Sequence, residues 1–129
     1  MPQVTQQKGF TLMELLTVIA IIGILASITV ASLSSVRARS RISNAKSSME
    51  TVRAAAALCL FRSQVLTTPP VANAEICTGS NLNWPKLPGA WVYGAVSSNV
   101  SAQTFSITAT GDSTTITCAK AAGAEAACS

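Results

Sequence analysis

The pattern of apolar and polar positions divides the chain into a helical first half and a strand-rich second half. Between Phe10 and Leu33 the only charged side chain is Glu14. A helix of about 20 apolar residues crosses the hydrocarbon core of a bilayer. Residues 10–33 therefore predict a membrane-spanning helix. An ionisable group inside such a helix is costly, so the carboxylate needs either a partner or a route to the headgroups.

Beyond this run, apolar residues recur every three or four positions, which predicts that the helix continues as an amphipathic half over 34–65. The expected buried stripe consists of Ile42, Ala45, Met49, Val52, Ala56 and Cys59. No Gly or Pro interrupts the chain from Ile24 to Thr68. We therefore expect one helix from about Thr11 to about Val65, with the stripe packed on a small sheet rather than in a coiled coil.

The helix is expected to stop before Pro69 and Pro70, since neither proline can continue it. A loop over 66–89 follows, with Trp84 expected to pin it to the core. Alternation within 90–120 predicts three strands, which are Trp91–Val96, a second run centred on Ile107, and a third run around Ile116. The expected turns are Ser97-Ser98-Asn99 and Gly111-Asp112. The predicted fold class is α+β, a long N-terminal helix packed on a three-stranded antiparallel meander.

The composition argues against catalysis. The chain has 129 residues, no histidine and five acidic residues, which excludes histidine-based triads and leaves few candidates for acid–base chemistry. We therefore expect no enzyme activity, no cofactor and no metal site. The chain is short enough to hold one small domain beside the apolar run, and a core of that size benefits from covalent support.

Four cysteines, Cys59, Cys77, Cys118 and Cys128, provide that support. Their even number behind a membrane-targeting segment indicates disulfides in an oxidising compartment, and no Cys-x-x-Cys pair indicates zinc. We favour local pairing, Cys59 with Cys77 and Cys118 with Cys128, at about 3 kcal/mol for each loop. Pairing of Cys59 with Cys118 is the alternative, since both side chains can point at the interface between helix and sheet.

The amphipathic half of the helix is basic. It carries Arg37, Arg39, Arg41, Lys46, Arg53 and Arg62 against Glu50 alone. These charges suit anionic headgroups, acidic patches of neighbouring copies, or a solvated helix face. Nucleic acid is a less favoured partner, because no aromatic residues are interleaved with the basic ones. The positive-inside tendency would place this end in the cytoplasm, whereas the cysteines argue for export of the C-terminal part.

The segment Lys8-Gly9-Phe10-Thr11-Leu12-Met13-Glu14, followed at once by the apolar run, resembles the class III signal of type IV prepilins and pseudopilins. The resemblance implies a leader over 1–9 that prepilin peptidase removes after Gly9, with Lys8 beside the cut. The new N-terminal Phe10 would be methylated, and Glu14 would be the assembly residue. The apolar half over 10–33 would remain as anchor and filament core, below a head over 34–129.

The same resemblance implies further roles. A glycine at the position of Gly23 begins a segment that can lose helical structure in the filament, although Ala31 stands where many pilins have a proline. The cysteine loop over 118–128 resembles the variable receptor-facing loop of type IV pilins.

Three functions remain open at this stage. The first is a structural subunit of a type IV pilus filament. Such a subunit is held in the cytoplasmic membrane before assembly and at the cell surface afterwards, with copies of itself and a membrane assembly platform as partners. The second is a pseudopilin of type II secretion or a minor or competence pilin. The third belongs to another class, a single-pass anchored binding domain that never polymerises.

Overall fold

The computed structural model describes residues 9–129. The elements in chain order are the helix α1 (Leu12–Phe61) and the strands β1 (Val92–Asn99), β2 (Thr104–Gly111), β3 (Thr114–Lys120) and β4 (Ala127–Cys128). The described chain forms two compact units, one up to Arg37 and one from Ala38 to Ser129. The first unit consists almost entirely of helix, and the second, the head, contains the rest of α1 and the whole sheet. This confirms the predicted α+β class.

The helix ends at Phe61, so the prediction that it continues to about Val65 is wrong. Ser63 adopts a left-handed backbone conformation, with φ of 57°. Its N–H donates to the carbonyl of Leu60 at 2.9 Å, and the N–H of Gln64 donates to the carbonyl of Cys59 at 2.8 Å. These two bonds form a Schellman motif, which satisfies the last carbonyls and reverses the chain before the prolines are reached. Sequence reasoning missed it because the left-handed residue is Ser rather than Gly.

The sheet is antiparallel with the order β1-β2-β3-β4, one strand more than predicted. The extra strand β4 pairs with β3 through Cys118 opposite Cys128 and Ala119 opposite Ala127. The predicted turn at 97–99 is also wrong, because these residues belong to β1 and the reversal falls after Asn99. Residues 97–99 pair in regular register with 104–106 of β2, and a register shift between Tyr93 and Val96 marks a bulge earlier in the strand.

The core of the head lies between the helical stripe and one face of the sheet. Ala45, Met49, Val52, Ala56 and Cys59 are all buried, as the periodicity predicts, whereas Ile42 at the start of the predicted stripe is only partly buried. The sheet contributes the buried side chains of Phe105, Ile107, Ala109, Ile116 and Cys118. The threonines that alternate with them face outward.

The loop between α1 and β1 closes the core from the side. Trp84 is fully buried, as expected, and its indole N–H donates to Thr67 Oγ1 at 3.0 Å. Isolated bridges join Leu66 to Cys77 and Glu75 to Asn83, so this loop has order of its own without regular strands.

Candidate functional site: the start of the helix and its apolar surface

Glu14 participates in the N-terminal cap of α1. Its Oε2 accepts hydrogen bonds from the Thr11 backbone N–H at 3.0 Å and from Thr11 Oγ1 at 2.9 Å. The Glu14 N–H donates in return to Thr11 Oγ1 at 3.3 Å. This reciprocal arrangement is a capping box, which satisfies otherwise unpaired amides at a helix start. The spacing Thr-x-x-Glu before an apolar run is the sequence signal for this motif, which the interpretations of Glu14 as an assembly residue or as a group reaching the headgroups did not use.

The capping box fixes where the carboxylate stands. It holds the Glu14 side chain back along the helix toward Thr11, one residue beyond Phe10. The negative charge thus lies at the positive end of the helix dipole, where an anion is stabilised.

The residues around the expected cut are exposed where they are described. The Phe10 side chain is 83% exposed. A Cβ built on Gly9 would meet no atom of the described residues within 4 Å. Lys8 lies outside the described residues, and the cut itself stays a prediction.

The apolar surface of the first unit has no partner within the described chain. The large side chains from Phe10 to Val36 are each between 45% and 84% exposed. α1 is also, by length and composition, a helix that could cross a membrane, with a most apolar window of mean hydropathy 2.5. At about 25 cal/mol per Å², a surface of this kind strongly favours transfer out of water.

The polar side chains within this surface bond to their own helix. The hydroxyls of Thr17, Ser27 and Thr29 donate to backbone carbonyls three residues earlier, at distances of 2.8 to 2.9 Å. A hydroxyl satisfied in this way loses little on entering an apolar environment, whereas an unsatisfied one costs several kcal/mol, about 4–8 on transfer to hydrocarbon. These residues are therefore compatible with a buried or membrane position.

Gly23 is helical in this structure, and a Cβ built on it would meet no atom within 4 Å. Packing within the chain therefore does not require a glycine at this position. Local loss of helix there on assembly stays a prediction.

A cluster that the sequence analysis did not identify joins three parts of the head. Arg41 on α1 donates to Asp112 in the β2–β3 turn through Nε at 2.9 Å and Nη2 at 2.6 Å. The Trp91 indole N–H donates to the same carboxylate at 2.8 Å. These hydrogen bonds lower the pKa of Asp112 to about 2 and raise the pKa of Arg41. Arg41 is thus a structural residue of the head, because its charge is paired with Asp112.

Two disulfides hold the head. One joins Cys59 at the end of α1 to Cys77 in the loop, with Cα atoms 6.1 Å apart, and this confirms the expected pair. The other joins Cys118 to Cys128, which are directly opposite each other on β3 and β4. Cys59 and Cys118, the alternative pair, are therefore not bonded to each other.

Comparison with known proteins gives matches to part of the chain. Residues 5–30 match the family described as the prokaryotic N-terminal methylation motif. Three proteins named type IV major fimbrial protein FimA, from Dichelobacter nodosus, also match. Two are 48% identical to this chain over 55 residues, which is 43% of this chain, and the third is 46% identical.

These matches are partial. The chain spans 34–35% of the length of the curated relatives it matches. No solved structure matches the chain. The N-terminal methylation motif and the identity to type IV fimbrial proteins show that part of this chain is similar to type IV pilins.

Proposed function

We propose that this chain is the structural subunit of a type IV filament, made as a precursor, cut after Gly9 by prepilin peptidase and N-methylated at Phe10. The cut would remove Met1–Gly9 and place a cationic amine on Phe10. The copies would then polymerise through the N-terminal helix, which also anchors each copy in the cytoplasmic membrane before a membrane assembly platform adds it to the filament.

The observation that carries the proposal is an apolar helical surface, without a partner in the described chain, that begins at a single carboxylate. Residues 12–33 are too apolar to remain in water, and lipid before assembly and neighbouring helices afterwards are environments that suit them. Most of this segment also lies within the N-terminal methylation motif matched over residues 5–30. A domain that was only anchored would share the apolar run, and Glu14 would then serve only to cap the helix.

The position of Glu14 supports a pairing role. In a dry filament core, the Phe10 amine of one copy and Glu14 of a neighbour would neutralise each other. Removing one member of a buried ion pair costs about 3–5 kcal/mol, because the other charge stays buried. A copy added in the wrong register would carry this penalty, so the pair selects the correct register. The contact joins two different patches, so it continues as an open helical filament.

The test compares Glu14→Ala with Glu50→Ala in cells that display the filament. Glu14→Ala should be processed and inserted normally but yield no sheared filaments. Glu50 forms an exposed pair with Arg53, and such pairs contribute little, about 0–1 kcal/mol, so Glu50→Ala should assemble. Normal filaments from Glu14→Ala would refute the pairing mechanism.

Mass spectrometry of the membrane-held N-terminus separates the classes of function. An N-methylated Phe10 is expected for any pilin or pseudopilin, and an intact Met1 or Pro2 would indicate an anchored binding domain instead. Abundance in sheared surface filaments then distinguishes the main subunit from a minor pilin or a pseudopilin.

A further inference from the structure

A groove of about 390 Å³ lies beside the start of β1. Its lining is apolar or aromatic except for Lys86, and includes Trp91 and Tyr93. Two of the lining side chains, Val71 and Val92, are 55% and 58% exposed. Among the ion pairs of the described residues, Lys86 takes part in none. The groove thus combines an open apolar floor with one cation at its side.

Hydrogen bonds and packing fix the groove in advance. The Tyr93 hydroxyl donates to the carbonyl of Pro85 at 2.7 Å, and the Tyr93 ring packs edge-on against Trp84 with centroids 5.1 Å apart. Trp91 is held by its bond to Asp112. A rigid surface loses little conformational entropy on binding.

The loop over 121–126 is a candidate occupant because its chemistry complements the groove. Its sequence is Ala-Ala-Gly-Ala-Glu-Ala, so its side chains are methyl groups apart from one glycine and Glu125. Residues 121–125 are exposed. Glu125 takes part in no ion pair among the described residues. The loop therefore presents small apolar groups and one anion, whereas the groove offers an apolar floor and one cation.

This loop, which we call the tail loop, is also held in place. The disulfide between Cys118 and Cys128 closes it across β3 and β4. Arg53 Nη1 donates to the carbonyl of Ala126 at 2.9 Å, and the Ala124 N–H donates to the carbonyl of Ala121 at 3.2 Å. The tail loop is thus a preformed knob.

The two surfaces lie at opposite edges of one sheet. The groove borders β1 and the tail loop connects β3 to β4, in a sheet of order β1-β2-β3-β4. Adjacent strands are about 4.8 Å apart, so the edge strands are separated by about 14 Å. A tail loop cannot occupy its own groove, and any contact between the two must join two copies. Since the patches differ, the contact does not close on itself and can repeat along an open array.

We propose that the tail loop of one copy docks in the groove of the next copy, with Glu125 paired to Lys86. This inference rests on the proposed function, because the filament brings the heads side by side. It adds a second contact to the one at the helix and assigns the C-terminal disulfide a role in shaping that contact. Opposite charges at the two surfaces also disfavour groove-to-groove or loop-to-loop contacts.

Carbodiimide coupling of the full-length wild-type protein in sheared filaments tests the contact directly. This reagent joins an amine to a carboxylate that touches it, without a spacer. A cross-linked peptide containing Lys86 and Glu125, together with a ladder of oligomers, is the expected result. The Lys86→Gln and Glu125→Gln variants should lose that peptide, whereas the Arg62→Gln control should retain it. Filaments in which other sites couple but this pair does not would overturn the inference.

Charge exchange supplies a second measurement. Lys86→Glu and Glu125→Lys should each weaken the contact about two- to fivefold, the range for an exposed ion pair, and lower the yield of sheared filaments. The double exchange should restore it. Single charge reversals that leave the yield of sheared filaments unchanged would count against the pair. So would a double exchange that fails to restore the yield when each single variant lowers it.

The proposed function and this inference fail separately. Filaments from Glu14→Ala would refute the pairing mechanism. The head contact would still be tested in those filaments by the Lys86–Glu125 cross-link. If the wild-type chain forms no filament, the proposed function fails. The same coupling is then applied to copies held in the membrane, where a Lys86–Glu125 link supports the head contact and its absence refutes it.

Discussion

Removing the disulfide between Cys59 and Cys77 should destabilise the head more than any surface change. The bond ties the end of α1 to the loop that covers the core, across a sequence separation of 18 residues. Closing a loop of this length lowers the entropy of the unfolded chain by an amount worth about 3 kcal/mol. Both cysteines are only 1% exposed. The double variant Cys59→Ala, Cys77→Ala therefore avoids buried free thiols and buried hydroxyls.

The expected consequence is a large fall in the melting temperature. For a domain of 60–100 residues, 1 kcal/mol corresponds to about 4–8 °C, so the double variant should melt about 12–24 °C lower. Calorimetry or near-ultraviolet circular dichroism of the full chain in detergent measures this change. The helix in the first unit should keep its far-ultraviolet signal at temperatures where the head has melted.

The matched control is the double variant Cys118→Ala, Cys128→Ala, whose disulfide spans 10 residues. The same entropy argument gives a loss smaller by about 0.5 kcal/mol. A melting temperature lowered by less than about 5 °C in the Cys59, Cys77 variant would refute the loop-closure reasoning. A much greater loss in the control than in the test variant would also contradict it.

Other predictions concern the head and the helix. Because the pKa of Asp112 is lowered to about 2, its contribution to stability should be complete above about pH 4 and lost as the pH falls toward 2; Asp112→Asn should flatten acid unfolding there. Gly111→Ala should destabilise, since its Cβ would lie 2.5 Å from the Trp91 ring, whereas Gly23→Ala should stabilise the helix by about 1 kcal/mol, both measured by thermal melting. Trp84→Ala should cost about 3–5 kcal/mol in denaturant titration.

The sequence predicts those parts of the fold that depend on periodic burial. The spacing of Ala45, Met49 and Val52 marked the helix face that packs on the sheet, and the alternation around Ile107 marked the face of β2 that meets it. These patterns are local, and each repeats often enough to identify its element.

The features that were missed depend on single residues or on distant ones. Ser63 ends the helix through a backbone conformation that a serine seldom adopts. The strand β4 is two residues long, too short for any alternation to be visible. Arg41 and Asp112 are separated by 71 positions, so only the fold brings them together. The groove beside β1 arises where the loop before β1 folds back on the start of that strand, which no periodic pattern indicates.

For the candidate site, the motif that starts the helix can be recognised from the sequence because its residues are contiguous. The geometry of the motif could not be predicted, since the two hydrogen bonds from Thr11 to Glu14 depend on where the first helical turn begins. The sequence identified the carboxylate, and the structure adds what holds it.

The irregular first strand has a consequence for a protein that would be crowded against copies of itself. Sheet edges with free backbone amides promote merging of sheets into amyloid-like aggregates. Here one edge, β1, is interrupted by the shift between Tyr93 and Val96, and the other, β4, has only two residues. Both edges are therefore poor templates for strand addition. In the proposed filament, heads at high local concentration would then touch through side chains without fusing, so each copy would stay separately folded.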